Sequence, residues 1–217
     1  MGKAATRRYD ATGRQAQAQV TRARILDAAQ RLFLEQGYSA TSVAQIAAAA
    51  GVSAPTVFAA YKSKVNLLKE AVDVAIVGDA DAVPLAQRPV MRRVHEAATA
   101  AEMMGRYAEA VTEVGNRAVP IFMVAYRAAD ADPEIAGLVA DLDRQRLAGA
   151  GMIADAVAAR LGGLGTEDHA ALRDTIWTMN SPQLYDLLVG QRGWPVSRYR
   201  DWIETTLLAH LAGYPQP

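Results

Sequence analysis

The sequence predicts an all-α protein, with a small N-terminal domain of three helices followed by a body of about six. Apolar residues recur at three- and four-residue spacing over most of the 217-residue chain, and nowhere do Val, Ile, Thr and aromatic residues alternate long enough to build a sheet. Charge is divided along the chain as well. The formal net charge is zero, yet residues 1–69 carry ten Lys or Arg against three Asp or Glu, a net +7, and residues 70–217 carry thirteen against twenty, a net −7. A basic head on an acidic body suits the head, and not the body, to a polyanion.

Residues 1–19 are polar, hold Lys3, Arg7, Arg8, Gly13 and Arg14, and show no sustained period. They read as a flexible basic arm able to follow a phosphate backbone or enter a minor groove. From Val20 the period is helical: Ile25, Ala28, Ala29, Leu32 and Phe33 share one face, and Gly37 ends the run. Ser42 and Gln45 have capping-box spacing ahead of a short helix over about 43–50, which Gly51 stops. Ser53 is the natural N-cap of a second short helix from Ala54, with Pro55 in its first turn, where a missing N–H costs nothing. Ser63 caps a longer helix running through Leu67, Leu68, Ala71, Val72, Ala75 and Ile76.

Beyond Pro84 and Pro89 the pattern gives a helix from Val90 to about Ala98, one through Ala101, Met104, Ala108 and Val111, and one from about Val119 to Ala129. Asp132-Pro133-Glu134 opens another that reaches about Leu161, with acid near its positive end. Thr166–Val189 and Ser197–Ala212 supply the last two.

The two short helices joined through Gly51 have the proportions that set a second helix into a major groove. Ile46, Ala47, Val52, Val57 and Tyr61 face inward with Phe33, leaving Ala54, Thr56, Ala59 and Ala60 outward. The run from Thr41 to Phe58, followed by Tyr61-Lys62-Ser63-Lys64 and Leu67-Leu68, resembles the signature of TetR/AcrR-family regulators. That resemblance, carried by about residues 20–70, implies a helix-turn-helix DNA-binding domain over 20–66 and a helical ligand-binding and dimerisation domain over 67–217.

It also implies roles. Thr56 would touch a base edge or phosphate, Lys64 would reach the backbone, and Thr41 or Ser42 would offer a hydroxyl and helix N-terminal N–H groups to a phosphate. The candidate DNA-contacting set is Thr41, Ser42, Ala54, Thr56, Phe58, Ala59, Ala60, Lys62 and Lys64. Two departures weaken it. Phe58 stands where the family often has a tyrosine, and alanines stand at 59 and 60 where polar side chains are common. Alanine can meet a thymine methyl but cannot form a bidentate pair with a base.

In the body, an effector pocket is expected among the middle helices. Its candidate lining is Met103, Met104, Tyr107, Val111, Phe122, Met123, Tyr126, Met152, Trp177 and Asn180, a set that favours a hydrophobic or aromatic small molecule. One helix-turn-helix makes few base contacts, so pairing with a second copy is expected. The resemblance places that interface on the last two long helices, with Leu172, Ile176, Leu184, Leu187, Leu188, Ile203, Leu207, His210 and Leu211 as candidates.

The expected partners are therefore double-stranded operator DNA, a second copy of the chain and a small apolar effector that releases a repressor, with no membrane partner and no cofactor. The zero cysteine count removes thiolate chemistry, and His95, His169 and His210 have no metal-ligand spacing, so an enzyme is not expected. No signal-peptide pattern or membrane-length apolar run is seen, which fits the cytoplasm. The alternative is a ligand-binding or interaction protein of the same fold with weak or lost DNA binding.

Overall fold

A computed structural model describes residues 11–79 and 83–214, so Lys3, Arg7 and Arg8 of the expected arm lie outside the described residues. Every described regular element is helical, and the chain divides into two compact units between Leu68 and Lys69.

The head consists of α1 (Ala11–Ala40), α2 (Val43–Ala50), α3 (Ala54–Tyr61) and the start of α4 (Lys64–Val77). α1 opens at Ala11 and not at Val20, so residues 11–19 are helix where a flexible arm was expected. Ala and Gln make up most of this stretch, and such residues hold an exposed helix without an apolar stripe. Gly37, at φ 82°, breaks α1 before its last turn. α2 starts with the predicted capping box: the Ser42 hydroxyl accepts from the Gln45 amide, and Gln45 Oε1 accepts from the Ser42 amide at 2.7 Å. Gly51 closes α2 in the left-handed conformation at φ 64°, and its N–H returns to the carbonyls of Ala47 and Ala48. Ser53 caps α3 through the Thr56 amide, with Pro55 in the first turn. Ile25, Phe33, Ile46, Val57, Leu67 and Leu68 close the head's core, each at most 1% exposed.

The body contains the remainder of α4, a 3-10 turn at Leu85–Gln87, α5 (Pro89–His95), α6 (Ala100–Ala128), α7 (Pro133–Arg160), α8 (Thr166–Met179), α9 (Pro182–Tyr185) with a π-helical continuation over Asp186–Gln191, and α10 (Val196–Leu211). Two expected boundaries move. α6 runs without a break where two helices were expected, and it carries Pro120 inside it. Its buried face, from Met103 through Tyr107 and Val111 to Phe122 and Ala125, outweighs the one backbone bond that proline removes. The helix expected over Thr166–Val189 is two: α8 ends at Asn180, Ser181 caps the next helix through the Leu184 amide, and Pro182 occupies its first turn. Pro182 has no N–H to continue α8, and it biases Ser181 toward an extended backbone.

One device recurs at the helix ends. The last carbonyls of a helix have no partner within it and carry the negative end of its dipole. Here a cation from another element takes them. In the head, Arg24 donates to the Ala50 carbonyl at the end of α2, Arg22 to Ala60 near the end of α3, and Lys64 to Tyr38 and Thr41 beyond the Gly37 break. In the body, Arg117 donates to Ala75 and Ile76 at the end of α4, at 2.9 and 2.7 Å. Arg160 donates to His95 and Ala97 behind α5, at 2.8 and 3.0 Å, and Arg146 to Trp177 and Asn180 behind α8.

These contacts make Gly51 doubly constrained. A Cβ there would sit 2.8 Å from Arg24 Nη2, whereas a Cβ at Gly37 would meet nothing within 4 Å. Both positions have positive φ, so each alanine variant strains the backbone by about 1 kcal/mol. Gly51→Ala should cost about 1 kcal/mol more than Gly37→Ala, because it also displaces a charge-assisted bond. Urea unfolding of the full chain checks this, and equal losses would contradict it.

Candidate functional site

α3 presents a continuous outer face. Val57 and Tyr61 are buried, while Pro55, Phe58 and Ala59 are exposed and Ala54, Thr56 and Ala60 are half-buried. Phe58 is 50% exposed, a large apolar ring on a surface helix with no hydroxyl. At the start of the helix the Ser53 and Thr56 hydroxyls lie 2.8 Å apart, so this edge offers a paired hydroxyl and not a lone one. Tyr61 fixes the other end of α3: its hydroxyl donates to the Arg22 carbonyl at 2.9 Å, and the Arg22 guanidinium lies 4.2 Å from its ring centroid. Lys62 follows at φ 67° with its ammonium 3.3 Å from the Ala59 carbonyl.

Two of the expected contact residues face elsewhere. Thr41 is 1% exposed, and its hydroxyl donates to the Gly37 carbonyl at 2.7 Å and accepts from Gln36 Nε2. It ties off the break in α1 and cannot offer that hydroxyl to a phosphate. Ser42 remains exposed at the N-terminus of α2. Lys64 is half-buried, with its ammonium bonded to the Tyr38 and Thr41 carbonyls at 3.0 and 2.9 Å and lying 3.9 Å from the Tyr38 ring centroid. Its charge holds the end of α1 to the start of α4 instead of projecting outward. Tyr38, Arg22 and Arg24, which the periodicity did not single out, are the structural residues behind this surface.

The body holds a half-open cavity of about 350 Å³. Of the expected lining, Tyr107, Val111, Phe122, Met152 and Asn180 stand in its wall. Met103 and Met104 are fully buried in the core one turn before Tyr107, and Met123, Tyr126 and Trp177 lie outside the wall. Tyr126 and Trp177 act one step back. The Tyr126 hydroxyl donates to Asp143 at 2.5 Å, and Trp177 gives Arg146 its carbonyl, at 3.0 Å, and its ring face. Burial, helped by Asp143, pushes the Tyr126 phenol up to about 12. Desolvation also raises the buried Tyr107 and Tyr199 phenols, so both stay neutral donors at any ordinary pH.

Sequence reasoning missed Arg146, Tyr185 and Tyr199, which complete the cavity's polar end. Tyr185 and Tyr199 meet edge-on with ring centroids 4.9 Å apart. Arg146 sits mid-helix among charged neighbours, where a solvated side chain is the ordinary reading, and only the break after α8 brings carbonyls to it.

The expected interface residues are mostly consumed within the chain. Leu172, Ile176, Ile203, Leu207 and Leu211 are at most 4% exposed and pack into the body's own core, so they cannot meet a second copy. Leu184 and Leu188 are half-buried against that core, and His210 is held by the Tyr214 hydroxyl at 2.8 Å. Leu187 alone of the set is largely exposed, at 48%. What α8 and α10 leave outward is smaller and more polar, with Ala171, Asp174 and Thr178 on one and Asp201, Thr205 and Ala209 on the other. The apolar period marked the core-facing side of both helices.

Two short helices at a sharp turn, the second with its outer face open, define a helix-turn-helix protein, here followed by a helical body that holds a cavity. The model of the bacterial regulatory proteins of the tetR family matches residues 25–71. Over 54 residues the chain is 48% identical to the HTH-type transcriptional regulator AcrR of Shigella flexneri, a match spanning a quarter of this chain and a quarter of that protein. The fold extends further. A crystal structure described as a TetR-family transcriptional regulator from Mesorhizobium loti superposes with a TM-score of 0.66 at 20% identity, covering 91% of this chain and 98% of that one. A regulator structure from Saccharomonospora viridis in complex with choline superposes with a TM-score of 0.58 at 21% identity, over 86% and 95% of the two chains. Residues 25–71 are thus similar to the helix-turn-helix domain of tetR-family regulators, and the chain spans about a quarter of the length of the curated relative it matches. Among the described residues no single helix is long and apolar enough to cross a membrane.

The two hydroxyls at the head's helix starts should separate experimentally. Thr41→Val leaves buried carbonyl and amide groups without a partner and should cost about 1–3 kcal/mol of stability. Thr56→Val, at a half-buried position whose amide keeps its cap, should stay within about 0.5 kcal/mol. Thermal or urea unfolding of the two variants checks this; equal stability would return Thr41 to the surface.

Proposed function

We propose that the protein is a homodimeric DNA-binding transcriptional regulator, a repressor released by a small, mostly apolar effector held in the body. The observation that carries this reading is α3: a short helix capped at Ser53, fixed at Tyr61, and open along Ala54, Thr56, Phe58 and Ala59. The body fits the second half of the reading, with a cavity of about 350 Å³, within the range of small-molecule sites.

Within this reading α3 lies in the major groove. The Ser53–Thr56 hydroxyl pair supplies its polar contact, and Phe58 with the alanines supplies apolar contact to thymine methyl groups. The exposed start of α2, capped by Ser42 and Gln45, lies against a phosphate and fixes the register. Lys62 adds charge near the backbone. Readout of this kind leans on methyl groups and DNA shape more than on bidentate pairs. Two copies pair through the outward faces of α8 and α10, where Ala171, Thr178, Thr205 and Ala209 let helices approach closely.

Release follows the chain's own path. α4 begins in the head at Lys64 and ends with Ile76 in the cavity wall, where Arg117 of α6 holds its last carbonyls. An effector that binds one arrangement of α6 better than the other therefore biases α4, and only by that difference in affinity.

The experiment is a fluorescence-anisotropy titration of the full-length protein with duplex DNA from upstream of its own coding region. The expected result is salt-dependent binding to a two-fold site with half-sites spaced by about one helical turn. Phe58→Ala should weaken that site by about tenfold while leaving random-sequence DNA affinity within about twofold. Equal affinity for upstream and random DNA would favour a ligand-binding protein that has lost operator recognition.

A further inference from the structure

The cavity wall has an unusual charge balance. Among its described residues Arg146 is the one permanently charged side chain, and no carboxylate reaches the wall. Arg146 is 11% exposed, and its guanidinium is held in a fixed plane. Nε donates to the Asn180 carbonyl at 3.1 Å, and Nη2 donates to the Asn180 and Trp177 carbonyls at 2.8 and 3.0 Å. Nη1 donates once, to Asp143 Oδ1 at 2.8 Å. A guanidinium has five N–H groups, so these four bonds leave one on Nη1, and Arg146 is itself a wall residue. Asp143 Oδ1 also accepts the Tyr126 hydroxyl. The ion pair is therefore neutralised behind the wall, and what faces the cavity is a rigid N–H donor with no net charge to offer.

The surroundings are equally one-sided. Tyr107, Tyr185 and Tyr199 lie at the same end as Arg146, and burial keeps Tyr107 and Tyr199 in the phenol form. The Tyr185 hydroxyl donates to Asn116 Oδ1 at 3.2 Å and the Tyr199 hydroxyl to the Met179 carbonyl at 3.4 Å, so both protons are directed into the protein. Ile76, Leu85, Ala86 and Met91 supply further apolar wall, with His95 a polar residue among them.

We infer that the effector is an uncharged, mostly apolar molecule carrying one hydrogen-bond acceptor, a carbonyl or ether oxygen, and that Arg146 is the residue that selects it. A cation would lose its hydration in a wall that holds no carboxylate to receive it. An anion would lose its hydration to meet a guanidinium already paired with Asp143, a poor exchange in a low-dielectric site. A neutral acceptor loses little water, takes the open N–H, and buries its tail against Val111, Val119 and Phe122. The choline-bound relative thus holds a ligand of the class this wall rejects. This inference rests on the reading that the cavity is the effector site.

Isothermal titration of the full-length protein with three probes that differ in their head groups tests it: 2-decanone, decanoate and decyltrimethylammonium. 2-Decanone should bind about tenfold or more tightly than either charged probe. In Arg146→Met the preference over the cation should shrink to about threefold or less, because Asp143 loses its partner and is free to attract a cation. Arg146→Lys keeps Asp143 paired and loses the planar fork, so it should still reject the cation while binding 2-decanone less well. Either charged probe binding as tightly as the ketone, no probe binding at all, or an unchanged preference in both variants would overturn the inference. DNA anisotropy with the same probes separates the two claims. Ketone-selective binding that leaves DNA affinity unchanged supports Arg146 as selector and contradicts the regulator reading.

Discussion

The structure depends on cations that satisfy the carbonyl ends of helices they do not belong to. A short helix such as α2 or α3, eight residues each, is unstable alone, and its exposed last carbonyls repel one another's dipoles. Arg24 and Arg22 close these two ends from α1, and Lys64 closes the end of α1 from α4. Each bond both satisfies an acceptor and fixes the distance between two helices. The orientation of α3 is a consequence: its first turn is set by Ser53 and Pro55, its last by Arg22 and the Tyr61 hydroxyl. In the body, Arg117, Arg146 and Arg160 do the same for α4, α8 and α5.

This changes what the basic head means. A count of +7 over residues 1–69 describes a segment attractive to a polyanion, but Arg22, Arg24 and Lys64 spend directional bonds inside the fold. Their long-range field still contributes to attraction, since a hydrogen bond to a neutral carbonyl leaves the charge in place. Direct contact with a phosphate is another matter. The apolar and hydroxyl character of α3's open face fits that division, with charge behind the surface and small, shape-reading groups on it.

Much of the fold was legible because its signals are local. Caps at Ser42, Ser53, Ser63 and Asp132, the stop at Gly51, and the apolar faces of α1 to α4 follow from residues within a few positions of one another. The helix starting at Ala11 was not legible, because an exposed helix made mostly of Ala and Gln has no apolar stripe to announce it. Nor was the continuity of α6 through Pro120, where tertiary burial overrides a local breaker. The site was half legible for the same reason. Tyr107, Val111 and Phe122 share one helical period, so the cavity's α6 wall could be read. Arg146 acquires its meaning only from carbonyls 31 and 34 residues away. The interface candidates failed in an instructive way: Leu172, Ile176, Ile203 and Leu207 are the apolar period of α8 and α10, and a period identifies the buried side without telling a chain's own core from a partner's.

The most direct test of this account is the salt dependence of DNA affinity in Arg24→Gln, measured by anisotropy over a range of salt concentrations at a temperature where the variant is folded. If Arg24 holds the end of α2 and touches no phosphate, the variant keeps the wild-type slope of log affinity against log salt while its affinity falls through a loosened head. A slope reduced by about 0.9, the release of one phosphate's counterions, would place Arg24 on the DNA and contradict the division of cations described above.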